Sequence, residues 1–277
     1  MQSTLVLERQ FRLHVLHREQ LLFDSHFSPS PKQGAAGITL YFVVAGSFQI
    51  ADRVLEAPLV FALAEDEFER VTPASRTFRS WGDPSVTIEL RVAAEHVCGS
   101  VGLDAGPREL SEWMWARTSA FSTACFSNEP DETLVQAWLV DLVEDGLIAP
   151  ALVESIVLPE PEAFTRLWAA CRPLYANHTT NASILQIKRA TGLSLRQLTR
   201  DLGMMTRAFG LGGSFRDTTR VLRLRAAIVL LSAPGGTATK IATLVGYKSL
   251  DAMGRAFREA KLPPPSIVQD TIRYPHV

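Results

Sequence analysis

The sequence predicts an α+β protein with an N-terminal cupin-like β-barrel, a helical linker, and an all-α C-terminal domain with two helix-turn-helix units. Residues 1–104 consist of short runs with strand-like patterning, separated by turn residues, which is typical of a barrel or a sandwich. From Arg108 onward, apolar residues recur at helical intervals instead. Between Ile187 and Phe257 one short pattern occurs twice, which indicates a duplicated helix-turn-helix unit.

Charge is distributed unevenly along the 277 residues, although the net charge of the chain is only -1. Residues 160–277 hold 17 Lys and Arg against 7 Asp and Glu, so they carry +10, and residues 1–159 carry -11. A basic C-terminal part behind an acidic remainder indicates that only the C-terminal part meets a polyanion such as nucleic acid. The length suffices for two domains, each with its own core.

The three cysteines, Cys98, Cys125 and Cys171, are far apart and form no Cys-x-x-Cys pair. This spacing argues against a disulfide framework or a structural zinc site, and it favours small buried side chains in a reducing compartment. The N-terminus shows no basic segment followed by a long apolar core, and no apolar run reaches membrane-spanning length. We therefore expect a soluble protein of the cytoplasm with no membrane partner.

The predicted strands follow one another at short intervals, with a loop rich in Pro, Ser and Gly at residues 28–37. Ala45 and Gly46 interrupt the longest apolar segment and predict a turn between two strands. The predicted strand segments are residues 4–16, 21–27, 38–51, 58–63, 68–71, 76–79 and 86–92.

A small barrel can hold a ligand or a metal ion, so its histidines and aromatic residues bear on function. His14 and His17 would lie on opposite faces of a strand, and no His-x-His with a following carboxylate occurs in a strand context. The sequence therefore predicts no metal site and no cofactor. Four aromatic residues could line an apolar pocket, although filling the core is the commoner role: Phe42, Phe48, Phe61 and Trp81.

The middle of the chain, residues 105–178, is predicted to be helical. Asp131 begins a segment with an apolar stripe over residues 134–143, which Gly146 closes. This stripe could pair with its copy in a second subunit, which would make a homodimer, or it could pack against the barrel of the same chain. The helices expected here begin at Glu109, Asp131 and Phe164.

The duplicated pattern spans residues 187–202 and 241–257. Each copy has Ile, then Gly five residues later, then an apolar residue, then Ser-Leu, and finally an Arg with an apolar residue two positions before it and another two positions after it. Only the turn differs, because the second copy has one additional residue, Lys248, before its serine. Gly192 and Gly246 stand where the first helix of each copy must end in a sharp turn, often with a positive φ. Residues 220–231 lie between the copies and predict one long helix that fixes their separation. Two helices that enter successive major grooves on one face of DNA need a spacing of roughly 34 Å.

The second helix of each copy is expected to begin at an N-cap serine, Ser194 or Ser249, and to have one apolar and one polar face. An arginine on the polar face can bind guanine in a DNA major groove, which admits an α-helix. The alternative is an ordinary pair of amphipathic helices with solvated arginines, and the repetition weighs against it. The residues predicted to pack are Leu195, Leu198 and Leu202 in the first copy and Leu250, Met253 and Phe257 in the second. The opposing residues are Arg196, Gln197 and Arg200, and Ala252, Arg255 and Glu259.

Over residues 160–270 the chain resembles the AraC/XylS family of transcriptional regulators, in which one helix joins two helix-turn-helix units. Three departures from the family's pattern are a longer connection at residues 203–214, the residues Leu250, Asp251 and Gly254 at positions that would face bases, and the absence of a glycine before Pro265-Ser266. The residues that carry the resemblance are Gly192-Leu193-Ser194, Leu198-Thr199-Arg200, Arg223-Leu224-Arg225-Ala226-Ala227-Ile228-Val229-Leu230-Leu231, Ile241-Ala242-Thr243-Leu244-Val245-Gly246-Tyr247-Lys248-Ser249, Arg255-Ala256-Phe257-Arg258 and Pro265-Ser266.

The resemblance implies a separate function for each of three parts of the chain. Residues 1–104 would form the effector-sensing or dimerisation barrel, residues 105–178 a helical linker and dimerisation region, and residues 179–277 the DNA-binding domain. The implied partners are double-stranded promoter DNA, a second copy of the chain, a small-molecule effector and RNA polymerase. A cofactor and an enzymatic activity are not implied.

The site residues expected from the resemblance divide between base contacts and phosphate contacts. In the second copy Leu250 and Gly254 offer no side-chain hydrogen bond to a base, and Asp251 would repel phosphate unless it accepts from a cytosine amine. The residues expected at bases are Arg196, Gln197 and Arg200 in one groove and Arg255 in the next. The residues expected mainly at phosphates are Thr199, Lys248, Ser249 and Arg258.

Two other interpretations stay open at the level of the sequence. In the first, the protein is a small-molecule-binding or catalytic barrel whose C-terminal helices only mediate association; no nucleophile-base pair or phosphate loop is visible to support catalysis. In the second, it is a regulator whose second copy has lost base reading and which binds through a protein partner.

Overall fold

In the computed structural model of the chain, β-strands precede α-helices along the described residues, which confirms the predicted α+β class. The described residues form two compact units: an N-terminal unit up to Pro159 and a C-terminal unit from Pro161 onward. The predicted boundaries at residues 104 and 178 stay predictions. The structure describes residues 2–18, 37–50, 53–64, 78–79, 84–99, 101–102, 106–127, 131–159, 161–177, 179, 183–208, 213–231 and 235–273.

The described strands of the N-terminal unit form two antiparallel sheets. One has the strand order β1-β2-β8-β3-β6-β9 and the other the order β5-β4-β7. Strand β5 was not predicted, because it has four residues of which only Leu55 is buried, too few to show a periodic pattern. The strands are β1 Gln2–Leu7, β2 Phe11–Arg18, β3 Gly37–Ala45, β4 Ser47–Ile50, β5 Arg53–Glu56, β6 Leu59–Ala64, β7 Phe78–Arg79, β8 Ser85–Ala93 and β9 Arg108–Glu109.

Some of the sequence predictions concern residues outside the described ones. They are the strands at residues 21–27 and 68–71, the first part of the strand at residues 76–79, most of the loop at residues 28–37, and Trp81.

Gly46 allows the chain to leave the six-stranded sheet at the end of β3 and to enter the three-stranded sheet as β4. Its φ is 75°, and a Cβ at this position would lie 2.9 Å from the carbonyl oxygen of Pro84. Only glycine adopts such a backbone conformation readily and leaves room for the neighbouring chain. The predicted turn at Ala45 and Gly46 is therefore confirmed.

The central strands β2, β8 and β3 place different residue types on the two faces of the sheet, because side chains alternate along a strand. Leu13, Leu90 and Leu40 are neighbours in the register, and all three are inaccessible to solvent within the apolar core. The residues next to these leucines along the strands point to the opposite face. There Arg91 is the register partner of both Arg12 and Thr39, and all three are buried. Glu89 is buried on this face as well.

Two of the aromatic residues that could have lined one pocket lie on opposite faces of this sheet. Phe42 packs edge-on against Trp138, with ring centroids 5.3 Å apart, on the apolar face. Phe61 stacks on Tyr41 at 5.1 Å, and these two are register partners on the other face. Phe42 therefore fills the core, and the two phenylalanines do not share a pocket. The side chain of Phe48 lies outside the description.

Among the described residues of the N-terminal unit there are three α-helices, and a 3-10 turn at Ala94–His96 follows β8. The predicted start at Asp131 is confirmed, because its carboxylate accepts a hydrogen bond from the backbone N–H of Leu134 at 2.7 Å. The third helix was not predicted, because a proline is more typical of a break between elements, whereas Pro150 occupies the first helical position. The helices are α1 Glu112–Ser127, α2 Glu132–Glu144 and α3 Pro150–Val157.

The apolar stripe of α2 packs within its own unit. Trp138 and Leu139 are almost completely buried, and the ring of Trp138 stacks on that of Phe121 of α1 at 4.5 Å. Arg117 of α1 donates hydrogen bonds of 2.9 and 3.0 Å to Asp141 of α2, and these bonds raise the pKa of Arg117. Of the two alternatives for the stripe, the structure therefore favours packing within the same chain over pairing with a second subunit.

The cysteines are free thiols. Burial raises the pKa of Cys125 to about 11 and that of Cys171 to about 12, so both thiols stay protonated at neutral pH. Cys98 is only partly buried. The prediction that the cysteines are small buried side chains is thus confirmed for Cys125 and Cys171 but not for Cys98.

The C-terminal unit is helical throughout its described part. The predicted helix over residues 164–175 is confirmed as α4, and the described helices of the chain include none that is both long and apolar enough to span a membrane. The helices are α4 Glu162–Ala176, α5 Ile184–Thr191, α6 Leu195–Ala208, α7 Phe215–Leu231, α8 Ala238–Leu244, α9 Leu250–Glu259 and α10 Pro265–Arg273.

Trp138→Ala is expected to lower the free energy of unfolding of the N-terminal unit by about 3–5 kcal/mol, because it removes the ring that joins α1, α2 and the sheet. Trp113→Ala is the matched control, since Trp113 is 45% exposed on α1, and it should change stability by no more than about 0.5 kcal/mol. Differential scanning calorimetry measures both. Equal shifts for the two variants would contradict the core assignment.

Candidate nucleic-acid interface

The first copy of the pattern forms helix α5, a tight turn and helix α6. Gly192 ends α5 with a φ of 69°, as predicted. Ser194 is the N-cap of α6: its hydroxyl accepts a hydrogen bond of 3.3 Å from the backbone N–H of Gln197. The amide oxygen of Gln197 accepts in return from the backbone N–H of Ser194 at 3.1 Å and from its hydroxyl at 2.8 Å.

The second copy forms helices α8 and α9 in the same way. Thr237 caps α8 by accepting from the backbone N–H of Lys240, and Ser249 caps α9 by accepting from that of Ala252. Gly246 has a φ of 84°, which confirms the predicted turn glycine. The two helix-turn-helix units that the repeat predicts are both present.

Gly246 is constrained more tightly than Gly192. A Cβ on Gly246 would overlap the backbone carbonyl of Thr179, whereas a Cβ on Gly192 would meet nothing within 4 Å. The turn of the second copy therefore packs against the segment that precedes α5. No local feature of the sequence around Gly246 reveals this contact.

Helix α7 connects the copies and belongs to the core of the second one. Its residues Leu224, Ile228 and Leu231 are buried together with Met253 and Phe257 of α9. This shared core fixes the direction of α9 relative to α7. Residues of α8 and α10 complete it: Ile241, Ala242 and Val268.

Helix α7 also reaches the first copy. It contacts α6, and the ring centroid of Phe215 in its first turn lies 5.3 Å from that of Tyr175 in α4. Helix α4 itself contacts α5 and α6. At 1.5 Å per residue, its 17 residues make a rod about 25 Å long. Because both copies contact this rod, it sets their relative position within the C-terminal unit.

Polar contacts add to the attachment of α7 to the second copy. Arg220 of α7 forms ion pairs with Glu259 of α9 at 3.2 Å and with Asp217 at 3.6 Å. The guanidinium of Arg223 lies over the ring of Tyr247 at 5.9 Å. Burial raises the pKa of Tyr247 to about 12, although the neighbouring arginines oppose the shift, so this side chain stays neutral at physiological pH.

The longer connection after the first copy is partly helical. Helix α6 continues to Ala208, so Gly203, which was expected in the connection, lies buried inside the helix. Residues 209–212 lie outside the described residues. The additional sequence therefore lengthens the second helix of the first copy.

The structure exposes all four of the first-copy residues predicted to contact DNA: Arg196, Gln197, Thr199 and Arg200. Two of them also make local hydrogen bonds. The Gln197 amide oxygen is engaged at the N-cap, and the Thr199 hydroxyl donates to the backbone carbonyl of Leu195 at 2.8 Å. Arg196 takes part in no salt bridge within the described part of the chain.

Arg200 is held by the adjacent carboxylate. Its Nε–H donates to Oδ1 of Asp201 at 2.8 Å, and the Arg200 side chain is 69% exposed whereas that of Asp201 is only 16% exposed. The bond uses Nε, so it does not occupy the two terminal nitrogens of the guanidinium, which can form a bidentate contact with another group. The sequence pattern does not indicate a role for Asp201, because adjacent residues in a helix ordinarily do not face each other. The equivalent residue beside Arg255 in the second copy is Ala256.

The second-copy residues with predicted DNA contacts are exposed as well: Lys248, Ser249, Asp251, Arg255 and Arg258. The Ser249 hydroxyl is already engaged as the N-cap of α9. Asp251, Arg255 and Arg258 line one open groove of about 650 Å³, whose other wall is the segment from Leu262 to Ser266. The repeated pattern does not indicate this wall, because the wall comes from a segment that follows the pattern along the chain.

The prediction that Leu195 and Leu250 are packed in the core is wrong. Leu195 is 45% exposed and Leu250 is 37% exposed, whereas Leu198 and Met253, one turn further on, are completely buried. The helical wheel places both leucines on the buried side. In the first turn, however, a side chain leans toward the N-terminus of its helix and extends beyond the core.

The described residues contain no group of His, Cys, Asp and Glu that could hold a metal ion. His14 lies near Ser3, at 2.8 Å, and near Glu89, at 3.9 Å.

No protein-family model and no curated protein matches the chain. Among solved structures, ToxT from Vibrio cholerae is similar at 10% identity and a TM-score of 0.42, over 94% of this chain and 98% of that one. ToxT of strain SCE256, solved with an unsaturated fatty acid bound, is similar at 11% identity and a TM-score of 0.42, over 96% and 97%. The AraC-like transcriptional activator CuxR is similar at 18% identity and a TM-score of 0.28, over 81% and 79%.

Gly246→Ala is expected to destabilise the C-terminal unit more than Gly192→Ala does. Both variants force alanine into a left-handed conformation, at a cost of about 1–2 kcal/mol. Only Gly246→Ala adds an overlap with Thr179, for about 1–3 kcal/mol more. Thermal unfolding of the two variants in parallel gives the difference, and equal destabilisation would contradict the close contact at Gly246.

Proposed function

We propose that the protein is a sequence-specific transcription regulator of the AraC/XylS type that binds double-stranded promoter DNA. The observation that carries the proposal is the pair of N-capped helices α6 and α9, each with an exposed arginine, on one shared connecting helix. Exposed arginines on helices that an independent core holds in place are the arrangement that major-groove reading requires. The charge of +10 on residues 160–277 supplies the attraction to the phosphate backbone.

In this proposal the first copy is the main reader of sequence. Arg200 contacts a guanine through its terminal nitrogens while Asp201 holds its Nε, and Arg196 contacts the same groove. Gln197 contributes through its amide NH₂ group, because its oxygen is engaged at the N-cap. Thr199 contacts phosphate or sugar near the groove edge.

The second copy combines one base contact with several backbone contacts. Arg255 reads the next major groove, and Lys248, Ser249 and Arg258 hold phosphates. Asp251 lies in the same groove as Arg255 and Arg258. A carboxylate there accepts from a cytosine amine and disfavours a phosphate at its own position.

The remaining parts of the chain take the following functions. Residues 1–104 sense a small-molecule effector, residues 105–178 link and dimerise, and residues 179–277 bind DNA. The regulator acts in the cytoplasm as a homodimer that contacts RNA polymerase at the promoter. It uses no cofactor, and it has no catalytic function.

The central experiment selects duplexes from a random pool with the full-length chain and then footprints the enriched sequence. We expect an enriched site with a footprint over two successive major grooves per subunit. Binding that never exceeds the affinity for random DNA would overturn the proposal and favour the barrel protein whose helices only associate. A footprint confined to one groove per subunit would instead favour a second copy without base reading.

Arg200→Ala is expected to cost about 1–3 kcal/mol of specific binding and to relax the base preference at one position, because a bidentate guanine contact is lost. Lys248→Ala should weaken binding to every sequence alike, because one phosphate contact is lost. The slope of log K against log salt concentration should become about one unit less steep. Electrophoretic shift titrations at several salt concentrations distinguish the two effects. Identical behaviour of the two variants would refute the division between base and phosphate contacts.

Asp201→Ala is expected to reduce discrimination at the same base position as Arg200→Ala by up to roughly fivefold, since a partly exposed ion pair contributes about 1 kcal/mol or less. Asp201→Asn is the matched control, because its amide oxygen still accepts from Nε of Arg200, and it should keep most of the discrimination. Competition between duplexes that differ at that single base measures the effect. A loss that is equal for all sequences would exclude a positioning role for Asp201.

A further inference from the structure

Leu195 and Leu250 occupy the same position in the two copies, and both are exposed. Each is the first residue of its helix, directly after the N-cap serine, with 45% and 37% of its surface accessible. Leu195 is flanked along the chain by the exposed Ser194 and Arg196, and Leu250 by the exposed Ser249 and Asp251. An exposed large apolar side chain is unremarkable when it occurs once. Its recurrence at one position of a duplicated structure indicates a shared purpose.

Local packing does not account for the two leucines. A hydrophobic staple at a helix start joins the residue before the N-cap to the fourth helical residue. In the first copy those residues are Leu193 and Leu198, and in the second copy they are Lys248 and Met253. Leu195 and Leu250 belong to neither pair, and the core of each copy is closed by the buried Leu198 and Met253.

The location of Leu250 connects it with the proposed reading surface. It lines the same open groove as Asp251, Gly254 and Arg255. Gly254 has no side chain, and a Cβ there would meet nothing within 4 Å. The start of α9 therefore presents an apolar side chain next to an arginine and an open space, at the end of the helix that contacts base edges in helix-turn-helix proteins.

We propose that Leu250, and Leu195 at the equivalent position, read thymine by packing against its C5-methyl group. This inference rests on the proposed DNA binding and adds a specificity determinant to it. In the major groove the thymine methyl is the apolar feature that distinguishes the base pairs, and an apolar side chain is what recognises it. The arginines then read guanine, the leucines read thymine, and each copy reads both with residues of its first two turns.

The experiment uses the full-length chain and the duplex that it selects from a random pool. Each thymine of the duplex is replaced in turn by deoxyuridine, which lacks only the methyl group, and Kd is measured by fluorescence anisotropy. For the wild-type protein we expect a loss of about fourfold at a thymine in each groove, the factor for one methyl-sized group removed from water. For Leu250→Ala the penalty should disappear at one of these thymines, and for Leu195→Ala at another one helical turn away.

Two exposed leucines outside the reading helices provide matched controls. Leu244 at the end of α8 is 63% exposed and Leu185 on α5 is 52% exposed. Leu244→Ala and Leu185→Ala should keep the wild-type deoxyuridine penalties in full. Leu250→Met keeps an apolar side chain, so it should keep the penalty as well. Unchanged thermal unfolding confirms that each variant is folded.

The outcomes separate the two proposals. If no duplex is enriched over random DNA, the proposed function fails, and the inference fails with it. If a duplex is enriched but deoxyuridine has no effect, or if Leu250→Ala and Leu195→Ala retain every penalty, the leucine inference is overturned while DNA binding stands. A penalty that each variant abolishes at its own thymine supports the inference.

Discussion

The C-terminal unit depends on the apolar core that α7 shares with the second copy. Leu224, Ile228 and Leu231 of α7 are buried together with Met253 and Phe257 of α9, so the connecting helix and α9 form one body. At its other end α7 contacts α6, and Phe215 packs near Tyr175. Packed interiors resist deformation, since small displacements open voids. The positions of the two copies relative to helix α7 are consequently fixed, whereas an unstructured linker would leave them variable.

Some of the side chains that cap the second helix of each copy are also among the residues proposed to contact DNA. The N-cap serines satisfy the first backbone N–H groups of α6 and α9, and the turn glycines let each chain reverse without strain. Side chains needed for capping are then only partly available for binding, as with the amide oxygen of Gln197. The copies also differ: Asp201 orients Arg200, whereas buried Ala256 stands beside Arg255. The duplicated pattern thus carries two unequal exposed surfaces.

The N-terminal unit illustrates how one sheet can bury two kinds of side chain. Its apolar face is covered by α1 and α2, with Trp138 between Phe42 and Phe121. Arg12, Glu89 and Arg91 are buried on the opposite face, where the strand register makes them neighbours of Thr39 and Tyr41. Charged groups are rarely buried without compensating interactions. This polar face is therefore the part of the N-terminal unit whose chemistry departs most from that of an ordinary core.

The sequence by itself determined the α+β class, both helix-turn-helix units, their capping residues and turn glycines, and the exposure of the nine predicted contact residues. These features depend on local rules: 3.6-residue periodicity, side-chain caps and positive φ at glycine act over a few residues. Only the tertiary structure decided that Leu195 and Leu250 extend past their cores, that Gly203 lies inside α6, that Thr179 packs on Gly246, and that the α2 stripe is covered by its own chain. Those outcomes depend on which distant segments meet, and a periodic pattern identifies the face that is buried without identifying what covers it.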